Sequence, residues 1–156
     1  MYNLIFAVDE SGLVGSTSSK FGLPWHYPED LKFYKEMTTG KKCVMGRSTY
    51  EAIGSALPNR ETYVLTRNQD YKLDDATVIN SLDQLDAETD WWICGGVNVF
   101  KQCWQQADVI YITRILATHS GDVYFKDYDM TGFKLEESKI GEDPKLVFEK
   151  WIKDEN

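Results

Sequence analysis

The stretch KCVMGRSTYEAIG, residues 42–54, contains two patterns that together indicate the class of fold. Its first part is a short apolar run that ends at Gly46, which is typical of a buried strand. Its second part has helical spacing and ends at Gly54, a residue type that often terminates a helix. A strand that leads directly into a helix predicts an α/β protein.

The same alternation continues on both sides of this stretch. Five further apolar runs are predicted as strands, and their near-continuous apolarity favours a sheet that is buried on both faces. They are NLIFAV (3–8), TYVLT (62–66), TVIN (77–80), WWIC (91–94) and VIYITRI (109–115). Three further segments are predicted as helices: PEDLKFYKEMT (28–38), SLDQLDAE (81–88) and VNVFKQCWQQA (97–107).

The end of the chain has a different pattern. GFKLEESKIG (132–141) and KLVFEKWI (145–152) read as paired antiparallel strands that are joined by the turn-prone GEDP. No repeat, linker or low-complexity segment interrupts the sequence. We therefore expect one domain over residues 1–156, with one mixed sheet and helices on both faces.

Composition excludes several classes of function. A net charge of −8 disfavours nucleic acid, because no basic stripe is present to neutralise phosphates. The start MYNLIFAVDE resembles neither a signal peptide nor a membrane span. Cys43, Cys94 and Cys103 lack paired spacing, and His26 and His119 are isolated, so we expect reduced thiols, a cytoplasmic location and no metal site. Without an interface signal, a monomer is expected.

One carboxylate, Asp30, stands among aromatic residues in GLPWHYPEDLKFYKEM, residues 22–37. Pro28 is predicted as the first helical residue, which places Asp30 in the first turn, where the helix dipole favours acids. Asp30 borders the apolar stripe of this helix, whereas Glu29 and Lys32 are expected to face water. Spacing alone leaves helix capping and a functional role equally open.

Two junctions between a strand and a helix could receive phosphate. MGRST (45–49) places backbone N–H groups, a hydroxyl and a guanidinium at a helix start, and ICGGVNVF (93–100) has two glycines that allow a ligand close to the backbone. Neither contains G-x-G-x-x-G, and each is weak alone. With Arg67 directly after a predicted strand, the pair favours NADPH over NADH.

In combination these motifs resemble the bacterial-type dihydrofolate reductases over nearly the whole chain. The resemblance is carried, in order, by LPWHYPEDLKFYK (23–35), VMGRSTYEAIG (44–54), LPNR (57–60), YVLTR (63–67), ICGGVNVF (93–100), IYITRI (110–115) and GDVYF (121–125). It implies a single-domain α/β fold with a central, eight-stranded, mainly parallel mixed sheet, an antiparallel C-terminal strand and helices on both faces.

The resemblance also implies roles for individual residues. Asp30, Trp25 and Thr113 are expected to be catalytic: Asp30 would bind the pterin ring, and Thr113 would bond to that carboxylate. Arg60 would pair with the glutamate carboxylate of the substrate. The other substrate-binding residues implied are Ile5, Phe6, Ala7, Leu31, Tyr34, Ile53, Leu57, Cys94 and Phe100.

The cofactor implied is NADPH, with a cis peptide expected between Gly95 and Gly96. The cofactor-binding residues implied are Ala7, Gly46, Arg47, Ser48, Thr49, Leu65, Thr66, Arg67, Gly95, Gly96, Val97, Asn98 and Val99. The chain departs from the family at Phe100, where many members have tyrosine, and at Arg67, where serine is frequent. Residues 15–24 form a longer, serine-rich lid loop, and Gly121 and Asp122 match the segment that supports it.

The implied reaction is the reduction of 7,8-dihydrofolate to 5,6,7,8-tetrahydrofolate, by hydride transfer from NADPH to C6 and protonation at N5. Whether Asp30 donates the proton or only polarises the pterin stays open at this point. Two alternatives are a pyrimidine reductase of riboflavin synthesis, which has the same fold and cofactor, and a non-catalytic nucleotide-binding protein. Asp30 and Arg60 favour the folate substrate.

Overall fold

Ten strands and three α-helices follow one another along residues 1–155, the part of the chain that the computed structural model describes, apart from the side chain of Lys20. The helices are α1 (Pro28–Thr38), α2 (Arg47–Ile53) and α3 (Val97–Cys103). The strands are β1 (Tyr2–Asp9), β2 (Leu13–Gly15), β3 (Lys42–Gly46), β4 (Glu61–Leu65), β5 (Thr77–Ile79), β6 (Trp91–Ile93), β7 (Val109–Ile115), β8 (Val123–Tyr124), β9 (Phe133–Ile140) and β10 (Leu146–Lys153). None of the helices in residues 1–155 has both the length and the apolar character that crossing a bilayer requires.

Eight of the strands form one sheet in the order β5-β4-β3-β6-β1-β7-β10-β9. The strands from β5 to β7 in this order are parallel, whereas β10 runs antiparallel to both β7 and β9. The eight-stranded mixed sheet and the C-terminal hairpin are therefore confirmed. At its two edges lie β5, only three residues long, and β9, whose register with β10 shifts between Lys150 and Trp151.

The two faces of the sheet are covered by different helices. On one face, side chains of α1 pack against Ile5, Cys43 and Trp92, and α2 packs nearby around Met45. On the other face, α3 packs against residues that alternate with those, such as Leu4 and Val44. Helices on both faces are thus confirmed. Trp91 and Trp92 are 2% and 4% exposed, so both belong to the core.

Both ends of the predicted helices can be compared with the structure. Pro28 is the first residue of α1, as predicted. Helix α2 ends at Gly54, which has a φ of 94° and donates its backbone N–H to the carbonyl of Tyr50 at 2.8 Å. This left-handed conformation is the reason that glycine suits the position.

The prediction of a helix over residues 81–88 is wrong. Only one 3₁₀ turn, Leu82–Gln84, forms there. Gln84 Oε1 accepts from the backbone N–H of Ser81 at 3.1 Å, which caps the turn, while the carbonyl of Asp86 accepts from the indole N–H of Trp91 at 2.8 Å. The turn therefore stops at Gln84, and the following residues lead into β6 without a further helical turn.

Candidate active site

The carboxyl ends of the parallel strands share one edge of the sheet, which is where α/β proteins bind their ligands. Strands β3 and β6 bring the two predicted phosphate junctions to this edge, since the backbone N–H of Gly46 donates to the carbonyl of Gly95 at 2.8 Å. The two junctions, separated in sequence, are therefore neighbours in the structure.

Asp30, in the first turn of α1, lies above the ends of β1 and β7. Its Oδ1 accepts a hydrogen bond of 2.7 Å from the hydroxyl of Thr113, which is 2% exposed and pairs with Ala7 across the strands. Among the described residues, the side chain of Lys20 aside, Thr113 is the one donor to this carboxylate, and it bonds to Oδ1. Burial raises the pKa of Asp30, the hydrogen bond from Thr113 lowers it, and the neighbouring Glu29 carboxylate raises it; the net shift is upward.

Trp25 lies in the same corner as His119, on the loop that follows β7. Their ring centroids are 5.4 Å apart, and His119 Nε2 is 2.7 Å from the hydroxyl oxygen of Tyr27. Sequence reasoning treated His119 as an isolated loop residue and gave no role to Tyr27. No local pattern links them, because 92 positions separate this pair in sequence.

Asp9, the last residue of β1, contacts the loop that carries His119. Its Oδ1 accepts from the hydroxyl and backbone N–H of Ser11 and from the backbone N–H of Leu13, at 2.7, 2.8 and 3.0 Å, and its Oδ2 accepts from the backbone N–H of His119 at 2.8 Å. Burial alone would raise the pKa of Asp9, but these hydrogen bonds outweigh burial and lower the pKa. Asp9 was missed from sequence, although an aspartate that bonds to the backbone two residues later, here at Ser11, is a common turn feature.

Replacing Asp9 with asparagine is expected to destabilise the protein by about 1–3 kcal/mol at neutral pH, because an amide cannot accept all four hydrogen bonds. The folded-state pKa lies below the unfolded value of about 3.9, so the carboxylate stabilises the fold above that pH. Its contribution is lost as the pH falls through the folded-state pKa.

Urea unfolding at pH 7 and at pH 3 measures both effects. The difference between wild type and Asp9→Asn should shrink at pH 3, while exposed Asp127→Asn should match wild type at both values. If the difference in unfolding free energy between wild type and Asp9→Asn is the same at pH 7 and at pH 3, the assignment is contradicted.

Several predicted substrate residues meet on the α1 face. Tyr34 of α1 and Cys94, after β6, pack together with Cys43, and all three cysteines of the chain are free thiols. Burial raises the pKa of Tyr34 well above its usual value, and nearby Cys94 adds to this shift, while the positive charge of Arg60 opposes it. Arg60 therefore lies close enough to influence this group.

The remaining wall residues are less enclosed. Arg60 donates to the carbonyl of Pro58 at 3.0 Å and to the hydroxyl of Thr38 at 3.3 Å. Leu31 is 40% exposed, and Ile53 and Leu57 are half-buried. Their exposure leaves apolar surface on the α1 side of the cleft.

Phe6 and Phe100 lie on the other face of the sheet from Ile5 and Tyr34. Their ring centroids are 5.2 Å apart, and both rings pack against Phe125 in the cluster around α3. Of the predicted pterin neighbours on β1, only Ile5 and Ala7 therefore direct side chains toward the α1 face.

The glycine junction after β6 is closely packed against the start of α2. The Gly95–Gly96 peptide is cis, as expected, and Gly95 has a φ of 125°. A Cβ on Gly96 would lie 3.2 Å from the hydroxyl of Thr49, and a Cβ on Gly46 would lie 3.1 Å from Val99. Side chains at Gly46 and Gly96 would therefore crowd the junction.

Two arginines border this junction on the outside. Arg47 forms an ion pair of 2.5 Å with Glu51 and lies over the ring of Tyr71, 4.2 Å from its centroid. Arg67 is exposed just beyond β4, after Thr66, whose backbone N–H bonds to Ile79. Ser48 and Asn98 are exposed, whereas Val97 is half-buried and Leu65 and Val99 are buried. Tyr71 was not predicted from sequence.

The lid loop is supported from the opposite side by the segment around β8. Thr17 donates its backbone N–H to Asp122 Oδ1 at 2.8 Å and its hydroxyl to Oδ2. These two hydrogen bonds lower the pKa of Asp122. A Cβ on Gly121 would lie 2.8 Å from the carbonyl oxygen of Gly15. The contact between lid and support is therefore formed. Within residues 1–155, no group of three or more His, Cys, Asp or Glu side chains could hold a metal ion.

Known proteins resemble the chain over its length. Residues 1–151 match the sequence model of the family described as dihydrofolate reductase. The dihydrofolate reductase of Bacillus subtilis (strain 168) is 37% identical over 145 residues, which cover 90% of this chain and 84% of that protein. The Enterococcus faecium enzyme is 36% identical over 148 residues, which cover 90% and 87%.

A solved structure extends the similarity to three dimensions. The dihydrofolate reductase from Enterococcus faecalis, complexed with NADP(H) and RAB-propyl, superposes with a TM-score of 0.89 at 34% identity, and the alignment covers 99% of this chain and 97% of that one. The sequence match and the structural superposition thus cover nearly the same part of the chain. The protein therefore belongs to the dihydrofolate reductase family.

Proposed function

We propose that this protein reduces 7,8-dihydrofolate to 5,6,7,8-tetrahydrofolate with NADPH, by hydride transfer to C6 and protonation at N5, in the cytoplasm. Family membership gives the overall reaction and makes the protein an NADPH-dependent oxidoreductase. One observation carries the assignment of residues: a half-buried carboxylate, Asp30, is held by Thr113 at the carboxyl edge of the sheet, with one oxygen open to a ligand.

The residues at the glycine junction fit NADPH. Gly46 and Gly96 are half-buried, and a side chain at either position would crowd Val99 or Thr49. A pyrophosphate could approach this backbone, together with Ser48, Leu65, Thr66 and residues 97–99. Arg47 and Arg67, at the outer border of this junction, would bind the phosphate on the adenosine end of the cofactor. When bound, the cofactor supplies the hydride.

Asp30 binds and orients the pterin in this proposal. Its oxygens accept hydrogen bonds from N3 and the 2-amino group of the ring, which satisfies a carboxylate that is costly to bury. The negative charge favours the cation that develops when N5 gains a proton. Thr113 fixes the carboxylate by donating to Oδ1, so the proposed hydrogen bonds to the ring start from a defined orientation.

The remaining residues enclose the substrate and exclude water. Trp25 covers the pterin, and Arg60 pairs with the glutamate carboxylate as a planar, charged fork. Alignment of the two rings in a closed cleft accounts for several kcal/mol of the barrier. The proposed walls on the α1 face are Ile5, Ala7, Leu31, Tyr34, Ile53, Leu57 and Cys94. Phe6 and Phe100 lie on the other face, so Phe6 would offer its backbone and Phe100 would border the site beside Gly95.

The loss of NADPH absorbance tests this proposal directly. We expect turnover with dihydrofolate and none with the ribosylated pyrimidine of riboflavin synthesis, because only dihydrofolate offers both a pterin ring to Asp30 and a glutamate carboxylate to Arg60. Activity with the pyrimidine alone would assign the protein to the other reductase class. Binding of NADPH without turnover of either substrate would support a non-catalytic role.

A further inference from the structure

Glu29, the residue before Asp30, does not face water as the sequence suggested. Its Oε2 accepts from the backbone N–H of Glu142 and its Oε1 from that of Asp143, both at 2.8 Å. These residues form the turn between β9 and β10, at the end of the hairpin beside β7. A single carboxylate therefore bonds with both oxygens to two successive amides, an arrangement that fixes its position.

Gly141 shows how closely the turn approaches this carboxylate. A Cβ at this position would lie 2.8–3.0 Å from the carboxylate atoms of Glu29. Gly141 has no positive φ, so its backbone conformation is open to other residues. A side chain at Gly141 would therefore displace the Glu29 carboxylate from its present position.

The start of α1 is held at three points by three different elements. Tyr27 bonds to His119 on the loop after β7, Glu29 to the turn after β9, and Asp30 to Thr113 on β7. Of these three contacts, only that of Glu29 involves a charged group whose two oxygens each accept a hydrogen bond from a backbone amide. It therefore restrains the first turn of the helix in translation and rotation.

We propose that Glu29 is a positioning residue for the reaction, which clamps the first turn of α1 to the β9–β10 turn and so aims Asp30 at the pterin. This inference rests on the role of Asp30 proposed above. A displacement of about 1 Å in a catalytic group can lower the rate about 100-fold, so a clamp next to Asp30 has a measurable effect.

Several ionisable groups surround this point. The carboxyl groups of Glu142 and Asp143 lie on the turn, and His119 and Asp9 lie around the loop after β7. Glu29 is the residue whose charge raises the pKa of Asp30, in addition to burial. Removing that charge is expected to move the acidic limb of the kcat/KM profile to lower pH.

The test compares Glu29→Gln and Glu29→Ala with Gly141→Ala. We expect both Glu29 variants to lose about 10- to 100-fold in kcat/KM for dihydrofolate while their Kd for NADPH stays unchanged. Gly141→Ala keeps the charge but displaces the carboxylate, so it should lower kcat/KM with a smaller displacement of the pH profile. Glu36→Gln, on the exposed end of α1 next to Lys32, is the matched control and should behave as wild type.

Two results would overturn the inference. One is a wild-type kcat/KM in both Glu29 variants. The other is a loss of kcat/KM that accompanies a lower Tm while the pH profile of kcat/KM is unshifted. The isosteric Gln variant keeps one hydrogen bond and secures a folded sample if the Ala variant fails. Full activity of Asp30→Asn would instead refute the proposed catalytic residue, which separates the two failures.

Discussion

Asp30→Asn is expected to lower kcat for dihydrofolate by about 10²- to 10⁴-fold at neutral pH, the range typical of lost acid–base and charge assistance. Asparagine fills the same space and can still accept the hydrogen bond from Thr113. What it removes is the negative charge that the pterin requires as N5 is protonated. The Kd for NADPH should change by less than about twofold, because the proposed cofactor site is the glycine junction and does not include Asp30.

Steady-state kinetics and a titration of NADPH by tryptophan fluorescence measure the two quantities. Thr113→Val, which removes the donor to Oδ1 but keeps the charge, should be impaired much less than Asp30→Asn. Equal losses in kcat and in NADPH affinity would contradict the assignment.

The same variant should be more stable than wild type at pH 7. The pKa of Asp30 is raised in the folded state, mainly by burial, so its ionisation costs stability above the unfolded value of about 3.9. Below that value both states are protonated and the cost disappears. Each kcal/mol corresponds to about 2–4 °C in Tm for a chain of this size. Thermal melts at pH 7 and pH 3 should therefore show an advantage for Asp30→Asn only at pH 7.

Arg67→Ala is expected to raise the KM for NADPH about 10- to 100-fold and to leave the KM for NADH nearly unchanged. Only NADPH carries the 2′-phosphate, and a charge-assisted hydrogen bond contributes about 1.5–3 kcal/mol. Arg67 is exposed at the end of β4, on the side of the junction where Arg47 lies over Tyr71. A flexible, solvated guanidinium at this edge can turn toward the phosphate.

Initial rates with each cofactor at saturating dihydrofolate give the comparison. Lys72→Ala, an exposed cation five residues further on, is the control for a general loss of positive charge. If Arg67→Ala affects NADPH and NADH in parallel, the residue does not contact the phosphate.

Local sequence patterns predicted the framework of the fold because strands and helices are encoded by the spacing of nearby residues. The strand ending at Gly46 and the helix starting at Pro28 lie where their patterns place them. The prediction for segment 81–88 failed although its spacing is helical, because only one turn forms and Asp86 instead accepts a hydrogen bond from the Trp91 indole. Such a contact depends on how the next strand enters the core, which the local pattern does not contain.

The site was predictable where a motif carries the chemistry and not where distant segments meet. Asp30 and the paired glycines lie in recognisable motifs, although their roles came from the family resemblance. Glu29 was assigned to water because a first-turn glutamate normally faces solvent, whereas its partner, Asp143, lies 114 positions later. Asp9 and His119 are likewise in contact although 110 positions separate them in sequence, so only the folded structure reveals this contact.

The composition of the outermost strands bears on how the protein behaves at high concentration. An open sheet can recruit a strand from another molecule, and long, flat, apolar borders aggregate most readily. Here one border is the three-residue β5, and the other, β9, carries Lys134, Glu136, Glu137 and Lys139 beside an irregular register with β10. A short edge strand and a charged, irregular edge strand both resist pairing with another molecule. We therefore expect the protein not to aggregate through its sheet edges, even with no further subunit covering them.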